Sequence, residues 1–86
     1  MPTIRLNQEN DFRANVTTTQ NKIIFLVNGS AADCLVYQPV GEHLVGEAKN
    51  IQPGNTATIN GVTVGQLAQV QINPKDSKLC NATVTY

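Results

Sequence analysis

Ala68-Gln69-Val70-Gln71-Ile72-Asn73 alternates apolar and polar side chains without a fault. Successive side chains of an extended strand point to opposite faces, so Ala68, Val70 and Ile72 face one way and Gln69, Gln71 and Asn73 the other. This predicts a strand with one dry and one wet side, the pattern of an antiparallel sheet. Asn73-Pro74-Lys75-Asp76-Ser77 then reads as a polar turn. Beyond it the alternation resumes, with Cys80, Ala82, Val84 and Tyr86 set against Asn81, Thr83 and Thr85. A final strand is predicted to run to the end of the chain.

Upstream, Ala57-Thr58-Ile59-Asn60-Gly61-Val62-Thr63-Val64 carries the sequence signal of a tight hairpin. Asn-Gly suits a two-residue type I′ turn, whose central residues both need positive φ. With Asn60 and Gly61 at the tip, Ile59 would face Val62 and Thr58 would face Thr63. Gly61→Val is then expected to cost more than about 1 kcal/mol through positive-φ strain. Pro53-Gly54-Asn55 is a turn leading into this pair. In the first half, Ile4 and Leu6 suggest a short opening strand, and residues 12–18 alternate again. Ile23-Ile24-Phe25-Leu26-Val27 is apolar on both faces and too short for a buried helix, which favours a central strand. Residues 34–37 form another strand, ended by Pro39. Residues 44–51 read either as an edge strand or as a loop with one helical turn; Gly46 argues against a stable helix.

Seven to nine short strands with evenly spaced turns predict one all-β domain spanning 1–86: a small antiparallel β-sandwich, immunoglobulin-like or a related Greek key. With no Trp in the chain, any likeness to antibody domains is architectural only.

The surface is unusual in kind. Only 14% of the 86 residues are charged, six basic against six acidic, while there are ten Asn, nine Thr and seven Gln. A balanced chain with no basic stripe is a poor nucleic-acid ligand, so no nucleic-acid partner is expected. No apolar run approaches the roughly 18 residues of a membrane-spanning helix, and no amphipathic basic helix is present, so no membrane partner is expected either. A hydrophobic content of 41% is too high for a disordered tail. The opening residues have no signal-peptide pattern. A virion or extracellular location is favoured. Three sequons, at Asn15, Asn28 and Asn81, point weakly to secretion.

Catalytic chemistry is hard to assemble from these residues. His43 is the one histidine. It lies four residues from Glu47, a spacing that makes a metal pair only on a helix, and a further ligand would have to come from elsewhere. Cys34 and Cys80 lie within alternating apolar faces, where a thiol stays protonated. Either they bridge, closing a loop worth roughly 4 kcal/mol in the chain-entropy model, or they are buried free thiols acting as small apolar residues. Ser30 and Ser77 sit in turns, and no glycine-rich phosphate loop exists. Tyr37 and Tyr86 are weak candidates for a sugar platform. No catalytic residue, cofactor or metal is expected.

Two functional expectations remain. The first is a non-catalytic structural or interaction module, such as a virion or phage-particle accessory protein (capsid decoration or tail), working as a homo-oligomer or docked on a larger assembly. The second is a secreted binding or inhibitory domain that presents the 39–55 loop, with Glu42, His43 and Glu47, to a partner enzyme or glycan. Sheet edges bear on the first. The strands at 12–18 and 80–86 carry almost no charge, and charge is the usual device against edge-to-edge pairing. One of the two is expected to be an edge that a partner covers.

Overall fold

The computed structural model describes residues 1–38 and 44–86. Eight strands run in chain order: β1 (Thr3–Leu6), β2 (Arg13–Thr17), β3 (Lys22–Asn28), β4 (Ala32–Tyr37), β5 (Leu44–Ile51), β6 (Thr56–Asn60), β7 (Leu67–Pro74) and β8 (Asn81–Thr85). A single 3-10 turn at Gln8–Asn10 separates β1 from β2. The strands form two four-stranded antiparallel sheets, ordered β1-β8-β3-β6 and β2-β7-β4-β5.

The pairing has a simple logic. β1 pairs with β8, β2 with β7, β3 with β6 and β4 with β5. The chain is thus one long antiparallel ribbon folded at the β4–β5 end. Rolling that ribbon up adds the two remaining pairings, β3 with β8 and β4 with β7. Of the Greek-key sandwiches expected, this is the double Greek key, or jelly roll, rather than the immunoglobulin order. Every connection except β4–β5 crosses from one sheet to the other.

The alternation seen in the sequence becomes the core. Leu6, Val16, Ile23, Phe25, Val27, Cys34, Val36, Ile59, Val70, Ile72, Ala82 and Val84 point inward and are buried. β3 is central, as its apolar run suggests, lying between β8 and β6. Only one of its faces is covered, however: Ile23, Phe25 and Val27 are buried, while Leu26 on the outer face is 37% exposed. Residues 44–51 form the edge strand of the two alternatives. β5 pairs with β4 through two register shifts and lies against β6. A Cβ at Gly46 would stand 3.0 Å from the Ile59 side chain, which is why a residue without a side chain suits that approach.

The Asn60-Gly61 hairpin does not form. β6 pairs with β3, placing Ile59 beside Ile23 and Thr58 beside Ile24, and residues 61–66 cross to the other sheet. Gly61 does adopt a positive φ of 86°, but Asn60 does not, and a type I′ turn needs both. The local turn signal loses because the chain leaves the sheet after Gly61: Val62 is buried in the core, and the Val62 N–H donates to the Asn21 carbonyl at 3.2 Å instead of to a β6 partner. The positive φ survives, so the strain expected for Gly61→Val survives with it. The crossing segment is held instead by buried polar groups. The Thr63 carbonyl accepts from Thr18 Oγ1 (2.7 Å) and Gln38 Nε2 (3.1 Å), and the Thr63 N–H donates to Gln38 Oε1 (2.8 Å). Gln38→Ala is expected to cost about 1 kcal/mol, since it leaves the partly buried Thr63 N–H without its partner while the Thr63 carbonyl keeps Thr18 Oγ1. Chemical denaturation of the variant beside the parent measures this.

Candidate interaction surface

The outer face of the β2-β7-β4-β5 sheet is a register-matched array. Arg13, Gln71, Leu35 and Glu47 form one row across the four strands, and Asn15, Gln69 and Tyr37 a second, with Asn73 beside Asp33. Neighbouring amides bond to one another, Gln71 Nε2 donating to Asn73 Oδ1 at 3.0 Å. The opposite sheet presents hydroxyls. Thr3, Thr85, Ile24 and Thr58 make one row, and Arg5, Thr83, Leu26 and Thr56 the next. Five of the nine Thr thus stand in two rows on one face, while four of the seventeen Asn and Gln gather on the other. Side-chain alternation in extended strands does this with no further instruction.

Of the two weakly charged strands singled out in the sequence, β2 is a sheet edge and β8 is internal, flanked by β1 and β3. Asp11 and Phe12, immediately before β2, both have positive φ (58° and 59°). The Phe12 ring is nevertheless buried, and its N–H donates to the Asn7 carbonyl at 2.9 Å. Burying that ring over the sandwich end offsets the strain of a bulky residue in the left-handed region. Arg13 pairs with Asp11 at 3.3 Å, both side chains exposed, so the pair contributes little to stability. A shallow depression of about 390 Å³ lies beside this edge, lined by Asn10, Arg13, Ala14, Asn15 and Gln69. A second, of about 290 Å³, lies over the opposite sheet's end and includes Arg5, Glu9 and Lys78.

The other candidate residues are scattered. Glu42 and His43 lie outside the described residues. Glu47 sits on edge strand β5, 3.9 Å from Lys49. Among the described residues no group of three or more His, Cys, Asp or Glu could hold a metal ion. Cys34 on β4 and Cys80 just before β8 are buried free thiols. Cys80 Sγ donates to the Ser30 carbonyl at 3.6 Å. Burial, then the nearby Asp33 charge and then Cys80, push the Cys34 thiol from 9.0 up to about 12. Such a thiol is no nucleophile at neutral pH. The native protein is expected to resist thiol reagents and to release two thiols on denaturation. The raised pKa also has a signed consequence for stability. The unfolded chain loses the Cys34 proton near pH 9 and the folded chain near pH 12. The thiol's contribution is therefore complete below pH 9 and is lost as pH rises from 9 to 12. A Cys34→Val variant should show a flatter stability profile in that window.

Sequence reasoning missed the Gln38 clamp. A lone Gln before Pro39 carries no signal, because its partner, Thr63, is brought close only by the crossing of residues 61–66. No protein-family model, curated protein or solved structure matches the chain.

Proposed function

We propose that the protein is a non-catalytic structural module that works by packing into a larger assembly, as an accessory or decorating subunit of a particle. The observation that carries this reading is the pair of open sheet faces: one is lined mainly with threonines, and the other carries Asn15, Gln69, Gln71 and Asn73 with the charges of Arg13, Asp33 and Glu47 balanced to within one unit. Neutral hydrogen-bonding faces suit broad, repeated contacts between copies, because they add no long-range repulsion as copies accumulate. The jelly-roll order adds fold-level analogy, since that arrangement recurs in viral capsid domains; it recurs in lectins too, so the analogy by itself selects no function. The alternative of a long presenting loop at 39–55 is less well supported. Residues 44–51 of that interval are strand β5, which leaves a much shorter connection for display.

The test is sedimentation of the protein from its native source. Co-migration with heavy particles at fixed stoichiometry, stable to high salt, is expected. Recovery only as a free small protein would contradict the reading, as would any turnover that His43→Ala abolishes.

A further inference from the structure

We propose that two copies of the chain join through the free edge of β2, antiparallel and about a two-fold axis at Asn15. The partner thereby named rests on the assembly reading above.

The β2 register fixes which backbone groups are free. The Ile72 N–H donates to the Phe12 carbonyl at 2.9 Å, and the Thr18 N–H donates to the Gln66 carbonyl at 3.1 Å. Together with the pairing of Ala14 to Val70 and Val16 to Ala68, this directs the even-numbered backbone groups toward β7. In an antiparallel ladder the intervening residues then point their N–H and C=O the other way. Arg13, Asn15 and Thr17 thus hold the edge donors and acceptors, with no strand among the described residues beyond them.

That edge is complementary to itself. With a two-fold axis at Asn15, Arg13 stands opposite the second copy's Thr17, and Asn15 opposite the second copy's Asn15. All are odd-numbered, so each facing pair exchanges two backbone hydrogen bonds. No like charges meet, since Arg13 faces a threonine. On the inner side, half-buried Ala14 comes beside the second copy's Val16, so apolar meets apolar as amide meets amide. The operation is closed and gives a dimer instead of a fibre. The remaining edges are poorer templates. β1 is four residues long and carries Arg5. β5 has two register shifts and both Glu47 and Lys49. β6 has β5 against it, with Gly46 closing on Ile59. Among the described residues, β2 is the edge strand that is regular, five residues long and uncovered.

The test is the mass of the full chain by light scattering at tens of micromolar. Twice the 9.3 kDa monomer is expected, little changed between low salt and about 0.5 M, because no ion pair holds the contact. Asn15→Lys sets like charges face to face and should weaken the dimer by roughly tenfold or more. Asn15→Pro removes an N–H that the folded monomer does not use, and should do the same while leaving the β spectrum intact. Mixing Asn15→Lys with Asn15→Asp should restore a 1:1 heterodimer, and Thr58→Lys on β6 should leave the dimer unchanged. A parent that stays monomeric overturns the proposal, and so does a dimer that survives Asn15→Lys or is broken by Thr58→Lys. Either outcome is read independently of whether the protein sediments with heavy particles.

Discussion

Gly29→Ala is expected to remove more than about 3 kcal/mol, enough to leave much of the protein unfolded at room temperature. Two independent effects add. Gly29 has φ of +84°, and a Cβ there would stand 1.8 Å from the carbonyl oxygen of Leu79. That neighbour is backbone and cannot swing aside. The clash falls where the β3–β4 connection is tied to the β7–β8 connection. The Lys75 N–H donates to the Ala31 carbonyl (2.9 Å), and the Asp76 N–H to Ser30 Oγ (3.2 Å). Moving Leu79 to admit a methyl would disturb these bonds and the Cys80 contact beside them. An 86-residue domain has roughly 4–13 kcal/mol of stability in all. Gly54→Ala is the control: its φ is +88°, but nothing stands within 4 Å of the new Cβ, so only strain of about 1–2 kcal/mol applies. Urea denaturation of both variants separates the clash from the strain.

Phe25→Ala is expected to cost about 3–5 kcal/mol. Phe25 is the largest fully buried side chain and stands in the middle of β3, between Ala57 on β6 and Val84 on β8. Both neighbours are smaller and both are held by ladder hydrogen bonds, so the site cannot collapse to fill the space. The adjacent Leu26→Ala should cost well under half as much, because Leu26 lies on the outer face and is 37% exposed. Equal losses at the two positions would mean that both faces of β3 are covered, by a partner or by a different packing.

The strands were largely legible in the sequence, and their order was not. Residues 68–73 and 81–85 fold as the alternation requires, because one-sided burial writes itself into a period of two. The apolar run at 23–27 correctly pointed to a central strand, though Ile24 and Leu26 are outward-facing, a distinction that hydrophobicity alone does not make. Sheet order is a different matter. In this fold Thr3 pairs with Thr85 and Arg13 with Gln71, and nothing local connects residues so far apart. The one strong local signal, Asn60-Gly61, points to a neighbouring partner, but after Gly61 the chain buries Val62 and crosses to the other sheet. The edge at β2 was anticipated from its sparse charge, but the choice between it and the terminal strand needed the topology. The Thr and Asn/Gln faces were visible as composition, and became surfaces only once the register was known.

Amide hydrogen exchange, residue by residue and at two protein concentrations, tests most directly whether β2 is the free edge through which copies meet. At high dilution the Ala14 and Val16 amides should be protected and those of Asn15 and Thr17 should exchange quickly, while β8, paired on both sides, is protected throughout. On concentration, Asn15 and Thr17 should become slow as well. Fast exchange at Asn15 and Thr17 that does not change with concentration would contradict the account, as would alternating protection in β8.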